Sequence, residues 1–296
     1  MADASKDMPV REEQPGSVTA RPQAASSGAG ILIREVVTVP GDAMAGALLA
    51  SAWLDASLSV ARIAMIGAAY LALHFAGRVV APGQDAHRGR GGTVLLAAGL
   101  AIVGVGAAWA LRPILLSVAL LYLALMLFRA YAGGQGFAAS LMAGTGRGIG
   151  LLFGAAAIGG VMCPTAWLFA AMLCVYVACV QRRRVPGATR DAPSSPSLPG
   201  RPIVPVIVLS AWLLDLQFLA VPGVMWQRAA LAGLAVIVLA SAWRAVDVRL
   251  LAWLLLPAQA AMLLACPAPG PAIGAAFVLV WLAGRLLQPL HRRGAE

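Results

Sequence analysis

The chain has 296 residues, of which 60% are hydrophobic and only 11% charged, with a net charge of +10. A soluble domain carries roughly 25% charged residues, so this composition excludes a globule whose main solvent is water. The basic residues lie between apolar runs rather than on one polar face, which argues against nucleic acid as a partner and fits cationic loops beside a membrane.

Residues 1–33 are polar, rich in Ala, Ser, Gly and Pro, and without periodicity. They predict a disordered cytoplasmic tail, and no apolar core follows a charged start as it would in a signal peptide. The remainder, 34–296, predicts a transmembrane helical domain. Apolar runs at 36–54, 58–80, 93–110, 113–131, 137–161, 164–180, 202–221, 227–243, 249–266 and 272–287 alternate with short polar breaks. Each approaches the roughly 20 residues that a helix needs to cross a bilayer. The last four are less sharply separated, so the expectation is an all-α polytopic bundle of nine to ten helices.

The arginines bear on that count. With ten spans, sixteen arginines near the apolar runs fall on one side, and only Arg62, Arg112 and Arg228 fall on the other. This asymmetry predicts cytoplasmic N and C termini in an integral membrane protein. Two connections, 81–92 and 181–201, carry much of the basic side, including the run Arg182-Arg183-Arg184.

A charge inside a bilayer is costly, so each is a functional candidate. Arg147 lies near the middle of the fifth run, within Gly144-Thr145-Gly146-Arg147-Gly148-Ile149-Gly150. A structural reading pairs it with Asp42, Asp215 or backbone carbonyls. Gly146, Gly150 and Gly154 recur every four residues and allow close helix packing or open room beside Arg147. Asp42, Asp215, His74 and Gln259 are weaker candidates. Cys163, Cys174, Cys179 and Cys266 form no CxxC pair and read as small buried hydrophobes. No Ser/His/Asp order, HExxH pattern, Walker loop or dinucleotide fingerprint occurs.

Three segments together resemble the UbiA-type intramembrane prenyltransferases. They are REVVTVPGDAMAGALLA at 34–50, MAGTGRGIGLLFG at 142–154 and, more loosely, the stretch from Tyr176. The resemblance implies a UbiA-like bundle that holds an isoprenyl diphosphate in a cavity open to lipid and transfers the isoprenyl group to a lipophilic or aromatic acceptor. It also implies Mg²⁺ on the diphosphate, held by aspartate-rich motifs at the cytoplasmic ends of the second and sixth helices.

The chain departs from that pattern where the motifs belong. The first motif's four positions become Gly77, Arg78, Ala81 and Asp85, and the second falls on VQRRRV at 180–185, which holds no acid. Asp85 is then the remaining metal contact, with Mg²⁺ the cofactor of an active enzyme. Arg78, Arg88, Arg90, Arg182 and Arg183 become candidates to bind a diphosphate or an anionic lipid head group, since guanidinium groups grip phosphate oxygens directly. Arg147 is the candidate for shaping the cavity. The same loop arginines also suit a role in topology alone. Three classes stay open: a prenyltransferase, a non-catalytic protein that binds an isoprenoid or anionic lipid, and a small-molecule transporter.

Overall fold

The computed structural model describes residues 28–80, 90–131, 137–182, 203–219, 225–243 and 248–293, which are helical apart from short turns. The helices are α1 (Gly28–Trp53), α2 (Val60–Val80), α3 (Arg90–Leu111), α4 (Ile114–Tyr131), α5 (Phe137–Ala157) and α6 (Pro164–Arg182). They continue as α7 (Ile203–Leu219), α8 (Met225–Trp243), α9 (Val248–Trp253), α10 (Leu255–Ala265) and α11 (Gly270–Arg293). No strand occurs among the described residues. α1 begins at Gly28, inside the stretch expected to be tail; residues 1–27 lie outside the described residues.

All ten apolar runs are helical over their described residues; α1 starts earlier and α11 ends later than expected, and two other runs differ for local reasons. The fifth ends at Ala157 rather than 161, because Gly159 takes a φ of +94° that side chains rarely adopt. There Gly160 N–H reaches Ala155 O at 2.9 Å and Gly159 N–H reaches Ala156 O at 3.1 Å. These paired bonds close a helix end around a left-handed glycine. The ninth run is broken at Leu254 into α9 and α10. Pro257 explains the break: it has no N–H for the carbonyl of Trp253, and its ring crowds that carbonyl.

Among the described residues, five helices are long and apolar enough to cross a membrane, and four more apolar helical stretches are shorter. Their outer faces are hydrophobic, with Leu95 74% exposed and Ile102 72% exposed. Water would not tolerate a surface built this way, and lipid chains are its natural solvent. Exposed Trp53, Trp109, Trp167 and Trp226 sit at helix ends on the side away from most arginines. Tryptophans are enriched at that depth because the ring is apolar and its N–H polar.

α1 and α5 form the centre. In the apolar stretch of α1, 67% of residues are buried, against 17% in that of α3, which lies at the edge. α5 packs between α1 and α6, while α2 packs on α1, α3 and α4. α10 is buried at every residue and is enclosed by α1, α7, α8 and α11. The core on one side of α1 and α5 is built around Phe169, Trp212 and the α10 leucines, and on the other around Tyr70, Tyr122 and Phe153. All four cysteines are free thiols, Cys163 and Cys266 being buried.

Candidate functional site

One end of the bundle contains a cavity of about 110 Å³ at the C-terminal ends of α2, α4 and α6. α1 contributes Glu35, α2 His74 and Arg78, α4 Met126 and Arg129, and α5 Ala143 and Arg147. Tyr176, Val177, Val180 and Gln181 come from α6, and Ala252 and Leu255 from the α9–α10 break. Helical spacing accounts for the polar stripe on α2. Tyr70, His74 and Arg78 are four residues apart and so share one face, running from the core to the mouth.

Below the mouth lies a buried polar network. The Arg147 Nε donates to Asp42 Oδ2, while Nη1 donates to Thr38 Oγ1 at 3.0 Å and Nη2 to the Thr38 carbonyl at 2.7 Å. Gln259 Nε2 donates to the same carbonyl at 2.8 Å and to Asp42 Oδ1. Asp42 is fully buried and the Arg147 side chain is 12% exposed. An isolated charge here would be expensive, and pairing with several hydrogen bonds offsets that cost. Thr38 and Asp42 flank Pro40, which removes one intrahelical bond of α1 and loosens its ladder locally. Arg147 therefore ties α5 to α1, and Gln259 ties α10 to the same point.

A second chain of contacts rises to the mouth. Tyr70 Oη donates to the Gly146 carbonyl, and its ring lies 5.1 Å from that of Tyr122. Tyr122 Oη is 2.8 Å from His74 Nδ1. His74 Nε2 is 3.9 Å from Glu35 Oε2, which pairs with Arg78 Nη1. Arg129 makes no ion pair among the described residues. On the far wall, Tyr176 Oη donates to the Leu251 carbonyl at 2.5 Å and so holds α6 against α9. Removing that hydroxyl leaves a buried carbonyl short of a donor. Tyr176→Phe is expected to cost about 1–2 kcal/mol, read as a lower melting temperature in detergent.

The residues singled out by sequence separate into three groups. Arg78 and Arg147 meet at the cavity, and Arg147 takes Asp42 and the Thr38 carbonyl rather than Asp215. Arg90 opens α3 and Arg182 closes α6. Asp85, Arg88 and Arg183 lie outside the described residues. Sequence reasoning passed over Glu35, Tyr122, Arg129 and Gln181 and gave His74 little weight. The four-residue spacing of Tyr70, His74 and Arg78 was the available signal.

No protein-family model and no curated protein matches this sequence. Its structure is similar to the apo structure of a UbiA homolog from Aeropyrum pernix K1, with a TM-score of 0.52 and 18% identity. The match covers 84% of this chain and 98% of that one. The fold is UbiA-like. In this UbiA-like bundle, the two helix ends where aspartate-rich motifs are expected do converge on one cavity, but they bring other chemistry. Mg²⁺ favours carboxylate oxygens together with phosphate. Among the described residues the cavity offers one carboxylate, Glu35, and an arginine already holds it. No cluster of three metal-ligating side chains occurs among them. The described donors therefore do not fit Mg²⁺, while three guanidinium groups and an imidazole suit an anion.

Proposed function

We propose that this UbiA-like membrane protein binds the phosphate or diphosphate of an isoprenoid or other anionic lipid directly through arginine, without a divalent metal. The observation that supports this is the convergence of Arg78, Arg129, Arg147 and His74 on one cavity. Its volume of about 110 Å³ gives room for a phosphate-sized group. Apolar side chains of α6, α9 and α10 line the opposite wall, as a ligand with a hydrocarbon tail requires. Arg88, Arg90, Arg182 and Arg183 lie in or beside the two basic connections of the sequence, so they add positive charge to the same side of the chain as Arg78 and Arg129. The arginine asymmetry supports a cytoplasmic mouth and cytoplasmic termini.

The test is binding of farnesyl diphosphate to the purified protein, with Mg²⁺ and again with EDTA. Binding is expected to be indifferent to EDTA and about ten-fold or more weaker in Arg78→Gln plus Arg129→Gln, from the loss of two charge-assisted contacts. The fold similarity favours a second reading, isoprenyl transfer. Pyrophosphate release that needs Mg²⁺, and that disappears in Asp85→Ala, would replace the binding reading with that one.

A further inference from the structure

We infer that Glu35 is an internal counter-ion that occupies the cavity's anion position and must be displaced by a ligand phosphate. It thereby selects phosphomonoester and diphosphate head groups over singly charged ones. This rests on the anion-binding reading above.

Glu35 Oε2 sits against Arg78 Nη1, yet it remains 3.9 Å from His74 Nε2, too far for a hydrogen bond. His74 Nε2 is buried without a hydrogen-bond partner. The neighbouring carboxylate indicates which ring nitrogen carries the proton. With the proton on Nε2, Tyr122 Oη donates to Nδ1, 2.8 Å away, and the Nε2–H lies on the Glu35 side of the ring. A buried donor without a partner is costly, so an acceptor oxygen that reaches it gains a hydrogen bond. One flat carboxylate reaching in from α1 satisfies Arg78 and leaves His74 unmet. A phosphate, with three terminal oxygens in a tetrahedron, can face Arg78, His74 and Arg129 together. Arg78 is 48% exposed, so its guanidinium is open to exchange, whereas the Glu35 side chain is 15% exposed and held close by α1.

Tethering gives Glu35 a high effective concentration at Arg78. A phosphodiester or fatty acid brings one negative charge and competes with Glu35 on equal terms. A phosphomonoester brings nearly two, and a diphosphate more, so these displace it.

The experiment uses the full chain in nanodiscs of neutral phosphatidylcholine. Farnesyl phosphate, farnesyl diphosphate, phosphatidic acid and phosphatidylglycerol are titrated into wild type, Glu35→Gln, Arg78→Gln and the double variant. Wild type is expected to bind the monoesters and the diphosphate more tightly than phosphatidylglycerol. Glu35→Gln should tighten binding of all four by up to about five-fold and narrow the gap between them. That gain should vanish when Arg78 is also Gln, which a merely structural role for Glu35 would not produce. Glu35→Asp keeps the charge with a shorter reach and should gain less, which keeps the test open if Glu35→Gln folds poorly. Phosphatidic acid matching farnesyl phosphate would support the site and name glycerophospholipid as its source. Unchanged or weaker binding in both Glu35 variants, alongside a wild type that binds, overturns the counter-ion. Failure of every variant to bind any of the four overturns the anion site itself.

Discussion

Gly154→Val is expected to eliminate most of the folded protein, seen as loss of the monodisperse peak in detergent and a collapsed thermal transition. A Cβ added at Gly154 would fall on the carbonyl oxygen of Ala43 in α1. The contact is reciprocal, since a Cβ at Gly46 of α1 would fall on the Leu151 carbonyl of α5. These are backbone atoms with no rotamer to change, so the two helices would have to part. Overpacking a core usually costs about 1–3 kcal/mol. Here the cost should reach or exceed the upper end, because parting α1 from α5 also stretches the bonds of Arg147 to Asp42 and Thr38. With total stabilities of about 5–15 kcal/mol, that is a large share. Gly146→Ala is the control. Its added carbon meets the Met126 methyl at 2.5 Å, and that flexible side chain can yield at about 1 kcal/mol or less. Equal melting temperatures for Gly154→Val and wild type would contradict the α1–α5 contact.

The second large effect concerns charge rather than space. Asp42→Ala removes the carboxylate that meets Arg147 and Gln259, leaving a guanidinium inside the bundle without a counter-ion. Breaking such a pair from one side typically costs about 3–5 kcal/mol. Arg147→Met in the same background removes the stranded charge, so the double variant should be more stable than Asp42→Ala alone. The measurement is a double-mutant cycle of melting temperatures or denaturation midpoints. Additive losses would mean that the two residues do not act as a pair. The cycle also separates roles for Arg147. Its structural bonds use Nε and one direction from each terminal nitrogen, and two N–H groups remain for a ligand in the cavity.

The membrane-spanning helices could be read directly from the chain because the bilayer imposes a length and a composition on each one. The break at Leu254 was not read from the chain, because 249–266 is one apolar run and a proline can stand inside a continuous helix, as Pro40 does in α1. Arg129 was read only as one of the topological arginines, because the distribution of charge about the spans already accounted for it. Glu35 was hidden by its place just before an apolar run, where an acid needs no explanation. His74 looked isolated because its partners, Tyr122 and Glu35, are 48 and 39 residues away in sequence, the former bonded to it and the latter beside it.

By itself, then, the sequence determined an α-helical membrane bundle and its ten apolar runs, while the resemblance to UbiA-type proteins implied a site poor in the expected aspartates. These follow from local quantities: residue type, run length and short spacing. Only the tertiary structure decided that Arg147 takes Asp42, that Gln259 joins them from α10, and that Glu35, His74, Arg78 and Arg129 share one cavity. Such pairings join residues up to 221 positions apart. They are set by how glycine faces let α1 and α5 approach, and no local pattern along the chain carries that distance.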